Sequence, residues 1–196
     1  MLPQELIIKG YSDGESGDNE LQPVLQSELV YLRPVESSDF EDLYAAASDP
    51  LIWEQHPSPD RFEIGNFQKY FKDALNSPRA LVVIDKKTNL IIGSSRYYEV
   101  NTPRTETFIG YSFLARRYWG GAWNLEVKKL MVNHAFRSFQ AVLFHIGEQN
   151  HRSRRAMEKI GGVKVAQMQK TKSDGTKRTV FIYRITPSDW RFHFGS

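Results

Sequence analysis

Apolar residues recur along the chain at two spacings, and the changes between them mark the predicted elements. Residues 28–33 read as a short strand that Pro34 ends. Two helices follow, because apolar positions over residues 40–47 and again over residues 67–75 recur at helical spacing. The first third of the chain is therefore predicted to be a strand followed by two helices.

Strand patterns dominate the rest of the chain. A hairpin is predicted at residues 80–85 and 90–100, and a third strand at residues 105–114. A helix with apolar positions from 127 to 135 follows a Gly-Gly turn, and then come a strand at 141–146 and a short helix after Asn150 that Gly161-Gly162 closes. A final hairpin is predicted at residues 163–170 and 179–185. The order β-α-α-β-β-β-α-β-α-β-β predicts helices packed on a central sheet, which is an α/β or α+β fold.

The N-terminal segment differs from the remainder in composition. Residues 1–22 are polar and rich in Gly, Asp and Ser, which is typical of a mobile extension. Residues 23–196 contain no linker or internal repeat, and this length suits one domain. We therefore expect a mobile arm followed by a single domain.

Composition excludes several classes of function. The chain has no cysteine, so thiolate catalysis, Cys-zinc sites and disulfides are ruled out, and a cytoplasmic address is expected. No apolar run is long enough to span a membrane. The net charge of +3 is small for a nucleic-acid-binding protein, and only the basic cluster at residues 151–155 argues for that class. We expect neither a membrane nor a nucleic-acid partner.

The most informative stretch is a strand, a small-residue turn and a helix start over residues 109–127. A helix start presents unpaired N–H groups and the positive end of the helix dipole, and glycines allow an anion to approach the backbone closely. The turn at Gly120-Gly121 therefore suits a phosphate or diphosphate, although an ordinary strand-to-helix turn would use the same residues. Neither G-x-G-x-x-G nor a P-loop pattern is present, which argues against a Rossmann site or a P-loop.

The same stretch resembles the acetyl-CoA loop of the GNAT N-acetyltransferases. Ile-Gly-Tyr at 109–111, followed by Tyr-Trp-Gly-Gly-x-x-Asn-x-Glu at 118–126, is most similar to the branch that contains the ribosomal-protein N-terminal acetyltransferases. The pattern shared by the superfamily fits this stretch in two registers. One register starts at Arg117. The other follows the alignment of the branch and places Trp119, Ala122 and Asn124 at the three pattern positions. The second register places Ala122 where the branch usually has glycine, so an unstrained backbone is expected there.

A second motif follows at the next strand-to-helix junction. Asn150, Ser153 and the Glu-Lys-Ile-Gly sequence at 158–161 are similar to the corresponding GNAT segment. The resemblance implies that Asn150 and Ser153 face the pantetheine arm and thioester of the cofactor. Read from the residues alone, Asn150 is a helix N-cap and Ser153 a small packing residue.

The resemblance implies a mixed, mostly antiparallel sheet of about seven strands flanked by about four helices. It also implies acetyl-CoA as cosubstrate, with no metal. In that arrangement the backbone of Phe113 and Leu114 would bind the pantetheine arm. The backbone amides that would hold the diphosphate are those of Trp119, Gly120, Gly121, Ala122, Trp123 and Asn124. One of the basic residues Arg152, Arg154 and Arg155 would face the 3′-phosphate or form a solvated basic surface.

Two positions depart from the usual catalytic pattern. Relatives often carry Glu immediately before Ile-Gly-Tyr, where this chain has Phe108, so Glu106 on the same strand face is the expected base, with a water relay as the alternative. Many relatives donate a proton to the thiolate from a Tyr at the position of Met157. The resemblance gives that role to Ser153, and Tyr111 is a second possible donor.

The acceptor is not identified by any motif. Trp53 and Glu54 pair an aromatic ring with a carboxylate between the first two helices, in a region that borders the acceptor site in this fold, so they and Tyr111 are expected to bind substrate. A protein N-terminus or a small-molecule amine would fit. The alternative is an acyl-CoA-binding regulatory protein without catalysis, as a monomer or homodimer in either case.

Overall fold

The computed structural model describes residues 21–101, 103, 105–171 and 175–195. Its strands are β1 (Leu25–Gln26), β2 (Val30–Pro34), β3 (Ala80–Asp85), β4 (Leu90–Asn101), β5 (Glu106–Leu114), β6 (Ala141–Gly147), β7 (Val163–Thr171) and β8 (Lys177–Ile185). Its α-helices are α1 (Phe40–Ala47), α2 (Ile64–Leu75), α3 (Trp123–Ala135), α4 (His151–Glu158) and α5 (Pro187–Phe194). Short 3₁₀ turns lie at Ser37–Asp39, Pro50–Ile52 and Arg116–Tyr118.

The strands form one open sheet in the order β1-β2-β3-β4-β5-β6-β8-β7. Every neighbouring pair is antiparallel except β5 and β6, which are parallel and joined through α3. The predicted α/β class and mostly antiparallel sheet are confirmed. The described residues form eight strands and five α-helices, where about seven and about four were expected.

Two elements at the ends of the domain account for the difference in count. β1 has only two residues, too few to show a period in the sequence. α5 begins with a capping box in which Thr186 and Asp189 bond each other's backbone N–H, and its Trp190 is buried and donates to Asn133 on α3. The aromatic residues of α5 therefore differ in exposure, because Trp190 packs within the chain whereas Phe192 is 90% exposed.

The start of the domain also differs from expectation. The strand predicted from residue 28 begins at Val30, because the Ser27 hydroxyl accepts from the N–H groups of Leu29 and Val30 and turns the chain before the strand. Of the predicted extension at 1–22, residues 1–20 lie outside the described residues. Leu21, by contrast, is buried in the core.

Alternating residues of the strands point to opposite faces of the sheet, and each face packs in a hydrophobic core of its own. Leu81 and Val83 of β3 face the side covered by α3 and α5, whereas Val82 and Ile84 face the side covered by α1 and α2. We call these the α3 face and the α1/α2 face. The segment between α1 and α2, residues 48–63, also lies on the α1/α2 face and contributes Trp53 to that core.

Candidate active site

The two parallel strands separate soon after they begin. β5 and β6 pair only at Glu106–Ala141, Thr107–Val142 and Phe108–Leu143. Beyond Phe108, β5 continues to Leu114 with β4 on one edge, and none of the described strands pairs with the other edge. The backbone groups on that open edge, including those of the predicted pantetheine-binding residues Phe113 and Leu114, therefore border a gap that can accept an extended ligand as an added strand.

A bulge shapes β5 beside the gap. Between Arg96–Gly110 and Ser94–Phe113 the register shifts, and Tyr111 within the bulge has a φ of 52°. Gly110 is required because a Cβ there would lie 2.7 Å from the ring of Tyr98. Tyr111 is 43% exposed, so this predicted substrate-binding residue has an accessible ring.

The backbone amides that were predicted to hold the diphosphate lie at the turn between β5 and α3. No hydrogen bond within the described residues uses the N–H groups of Gly120, Gly121, Ala122, Trp123 or Asn124, and the first helical bond of α3 is from Glu126 to Ala122. Gly120, Gly121 and Ala122 are exposed. Five successive amides are therefore unpaired in the described structure, and the first three belong to exposed residues.

Trp119 differs from the other residues that were expected to bind the diphosphate through their amides. The N–H of Trp119 donates to the carbonyl of Arg116 at 3.0 Å, closing a 3₁₀ turn, so the free amides begin at Gly120. The Trp119 side chain contributes instead, because its indole N–H donates to the carbonyl of Leu114 at 2.9 Å and fixes the turn against the end of β5. Ala122 has ordinary helical angles, φ −78° and ψ −17°, so alanine in place of glycine causes no strain there.

α4 starts on the opposite side of the gap. The Asn150 side chain accepts from the N–H of Ser153 at 3.1 Å, so Asn150 is the N-cap of this helix. The Ser153 hydroxyl is half-buried and makes no hydrogen bond within the described residues. Met157, in contrast, is buried against Gly162 in the core and has no proton to donate.

The basic residues of α4 have different surroundings. The Arg152 guanidinium lies 3.8 Å from the centre of the Trp119 ring and donates to the carbonyl of Ile52. Arg154 donates to the carbonyl of Glu148, and Arg155 is exposed. Of the three, only Arg155 has no contact within the described residues that would compete with a phosphate.

Glu106 lies at the paired end of β5, away from the opening of the gap. Its side chain is 15% exposed and forms an ion pair with Arg184 of β8 at 3.5 Å. The ring of Phe108, on the same strand face, stacks on the imidazole of His145 at 4.3 Å. The structure thus brings Phe108 and His145 together and leaves the carboxylate of Glu106 bound to a different partner.

His145 was not singled out by the sequence, because a histidine on a buried strand has no motif of its own. It lies on β6 just beyond the last β5–β6 pair, and its Nδ1 is 3.1 Å from the hydroxyl of Tyr98. Its Nε2 is buried with no hydrogen-bond partner in the described part of the chain. Burial, followed by the charge of Lys170, lowers its pKa to about 3, so the imidazole is neutral at physiological pH.

Residues 52–62 cover the α1/α2 face beside the gap. Trp53 is 1% exposed, donates to the carbonyl of Ala47 and has the guanidinium of Arg61 over its ring at 5.1 Å. Glu54 is exposed. The expected pair of an aromatic ring and a carboxylate is therefore split between core and surface, and the cation on the Trp53 ring is Arg61.

A buried lysine lies on the opposite face of the same strands. Lys128 of α3 is 7% exposed, and its Nζ donates to the hydroxyl of Ser112 at 3.0 Å. Burial lowers its pKa to about 8. Ser112 also shares a hydrogen bond with Ser95, so this polar group of three residues connects α3 to the bulged segment of β5.

Within the described ranges, no three His, Asp or Glu side chains are grouped closely enough to hold a metal ion. None of the helices seen in residues 21–195 is both long and apolar enough to cross a bilayer. Among the described residues, the unpaired amides of residues 120–124 and the open edge of β5 offer hydrogen-bonding groups to a cofactor.

Comparisons with known proteins bear on the family and the fold. A family model described as an acetyltransferase (GNAT) domain matches residues 30–163, which is more than half of the chain. A probable GNAT-family acetyltransferase from Chromobacterium violaceum superposes with a TM-score of 0.77 at 16% identity, covering 97% of this chain and 98% of that one.

Two relatives solved with coenzyme A derivatives also match. RimJ from Mycobacterium smegmatis, in complex with CoA-disulfide, has a TM-score of 0.68 at 15% identity and covers 87% of this chain and 90% of that one. Spermidine N-acetyltransferase from Vibrio cholerae, in complex with CoA and spermine, has a TM-score of 0.64 at 16% identity and covers 84% of this chain and 99% of that one. At these identities the likeness shows the fold alone.

Proposed function

The chain belongs to the GNAT acetyltransferase family, and from that premise we propose that it transfers an acetyl group from acetyl-CoA to a primary amine. One observation carries the proposal. Five unpaired amides at residues 120–124 lie directly beyond the strand edge that borders the gap, so one extended molecule with an anionic diphosphate and an amide-rich arm fits both features.

The proposed chemistry is direct attack of the neutral amine on the thioester carbonyl. A bond forms between the amine nitrogen and the acetyl carbon, the carbon–sulfur bond breaks, and the amine loses one proton while the thiolate gains one. Holding both reactants in the gap supplies proximity, and backbone N–H groups of the open β5 edge stabilise the negative charge that develops on the carbonyl oxygen.

The proton of the amine has two proposed acceptors. Glu106 is the one derived from the strand pattern, and its ion pair with Arg184 favours a route through water. His145 is the one that the geometry adds, because it packs on Phe108, the position where relatives often carry Glu. With its proton on Nδ1, next to Tyr98, the imidazole has an unpaired but buried Nε2, and its pKa of about 3 makes it a weak base that would pass the proton on rather than hold it.

Ser153 is proposed to protonate the leaving thiolate. Its hydroxyl is not committed elsewhere in the described structure, and the Asn150 cap holds its backbone at the start of α4. Met157, buried in the core, leaves no competing donor at the position where many relatives have Tyr. Tyr111 is the second proposed donor, from the other side of the gap.

Release of free CoA in the presence of amines tests the function. We expect acetyl-CoA to raise the melting temperature of the protein, and an amine panel to give thiol release above the rate without amine. Binding of acetyl-CoA with no release for any amine would instead support the regulatory alternative, which Phe108 and Met157 favour. No thermal shift with acetyl-CoA would contradict both.

We further propose that the chain stands beside the ribosomal-protein N-terminal acetyltransferases within the family. The supporting residues are Tyr118, Trp119, Gly120, Asn124 and Glu126, which follow the pattern of that branch. The acceptor is then a protein N-terminus or a small-molecule amine, and the protein acts as a monomer or homodimer.

A further inference from the structure

Two arginines lie on the α1/α2 face of the sheet, and neither has a carboxylate partner among the described residues. Arg96 of β4 is 8% exposed, and its Nε and Nη2 atoms have no hydrogen-bond partner among the described residues. Its guanidinium lies over the ring of Tyr111 at 4.5 Å. Arg61, from the covering segment, lies over the rings of Trp53 and Tyr70 at 5.1 and 4.7 Å.

The two guanidinium groups influence each other. The pKa of Arg61 is lowered, first by burial and further by the charge of Arg96. Both charges also act on the buried hydroxyl of Tyr70, which donates to the carbonyl of Tyr111. The pair therefore lies beside the bulged part of β5.

Nothing acidic in the described structure neutralises this pair. No ion pair is formed by Arg61 or Arg96 with any described carboxylate. The acidic residue with the clearest effect on Arg61 is Asp60, which is exposed and bound to the amide of Asn66 at 3.0 Å. Burying two like charges without a counter-charge is costly unless a ligand supplies one.

We propose that Arg61 and Arg96 bind a carboxylate or phosphate carried by the acceptor amine. The inference rests on the proposed function and names the substrate class of that same site. A planar guanidinium matches carboxylate and phosphate geometry with paired N–H donors, and the surrounding rings of Trp53, Tyr70 and Tyr111 limit its motion.

The same charges also assist the reaction. A nearby positive charge lowers the pKa of an ammonium group, so an amine bound next to Arg61 and Arg96 reaches the neutral, nucleophilic form more readily. A polyamine, in contrast, would bring further positive charge to this pair and be repelled. The geometry therefore favours an anionic amine over a polycation.

The proposed site for the anionic group of the acceptor is separate from the proposed site for the phosphates of coenzyme A. The free amides at residues 120–124 follow the end of β5, whereas Arg96 pairs with Gly110 in the middle of that strand. Loss of either arginine should therefore weaken use of the acceptor and leave binding of acetyl-CoA unchanged.

The test compares matched amines that differ in one anionic group. The pairs are alanine with alaninamide and O-phosphoethanolamine with ethanolamine, and spermidine represents polycations. We expect kcat/KM for the better anionic amine to exceed that of its neutral partner by about 100-fold, as for a buried charge pair, with spermidine inactive. We also expect that anionic amine to raise the melting temperature of the CoA-saturated protein.

Variants separate the acceptor site from the fold. Arg61→Gln and Arg96→Gln should each lower kcat/KM for the anionic amine by about 100-fold, lower it far less for neutral amines, and leave the acetyl-CoA thermal shift unchanged. Arg96→Lys should retain part of the preference, and Arg137→Gln, at an exposed site after α3, should change nothing. If Arg96→Gln fails to fold, the proposal is tested with Arg61→Gln, because Arg61 is only half-buried.

The outcomes distinguish this inference from the proposed function. Absence of an acetyl-CoA thermal shift in the wild type removes both. A normal acetyl-CoA shift with neutral amines or spermidine used as well as anionic ones overturns the inference alone. The inference also fails if no anionic amine is either acetylated or bound by the CoA-saturated protein, or if the arginine variants behave like Arg137→Gln.

Discussion

At the scale of single residues, two positions depart from the usual pattern of the family. Phe108 removes a carboxylate and stacks on His145, which supplies a nitrogen at the same place. Met157 removes a phenol from the core side of α4, while the Ser153 hydroxyl stays uncommitted within the described structure. We propose that each proton-handling role passes to a neighbouring residue.

Replacement of Ser153 by alanine tests the donor. Without the hydroxyl the thiolate leaves unassisted, so kcat should fall by about 100-fold, the lower range for general acid catalysis. The dissociation constant of acetyl-CoA should not change, because the backbone cap at Asn150 is retained. Full turnover in Ser153→Ala would transfer the role to Tyr111, where Tyr111→Phe provides the matched comparison.

The proton acceptor is tested by a pair of amide substitutions. We expect His145→Gln to lower kcat/KM by about 100-fold, because Nε2 is lost as an acceptor next to Phe108. Glu106→Gln should have a much smaller effect on rate, because its carboxylate is held by Arg184 at the paired end of the strand. The opposite order of effects, measured as pH profiles of kcat/KM, would make Glu106 the base.

At the scale of elements, the sequence predicted the segments that are long enough for their apolar residues to repeat at a recognisable spacing. The turn at 120–121 and the junction at 150–153 were recognised because glycines and an N-cap leave a local signature. The two-residue β1 has no period, and α5 is marked only by its capping box. The buried arginines were missed because Arg96 meets Arg61 only once the strand and the covering segment pack together.

The Gly-Gly turn offers a test of backbone geometry with an internal control. Gly120 has a φ of 73° and Gly175 a φ of 80°, and a Cβ on either meets nothing within 4 Å. Alanine should therefore cost each position about 1 kcal/mol of stability through strain. Calorimetric titration with CoA should show weaker binding, by about tenfold or more, in Gly120→Ala alone. Equal affinities in both variants would show that the turn does not contact the ligand.

At the scale of the whole molecule, the sheet separates two electrostatic environments along the same strands. The α1/α2 face holds the guanidinium groups of Arg61 and Arg96, and the α3 face holds the amine of Lys128 against Ser112. Neither face supplies these cations with a carboxylate among the described residues. Part of the folding free energy is therefore used to keep positive charge on both faces of the sheet beside β5.

Lys128 makes the global stability depend on pH. Burial lowers its pKa to about 8 from 10.5 in the unfolded chain, so between these values the unfolded chain binds more protons. The contribution of Lys128 to the free energy of unfolding should rise over this window by about 3 kcal/mol, and Lys128→Met should lack the rise. Urea unfolding across the window measures it, and parallel curves for wild type and variant would contradict a buried charge.

The proposed function depends above all on the binding of the coenzyme A diphosphate by the free amides of residues 120–124. A ¹H–¹⁵N NMR titration with CoA measures each amide separately. We predict that the resonances of Gly120, Gly121, Ala122, Trp123 and Asn124 shift strongly on binding, while that of Trp119, already bonded to Arg116, shifts less. If these five resonances stay unmoved at saturation with CoA, the diphosphate binds elsewhere and the proposed site is wrong.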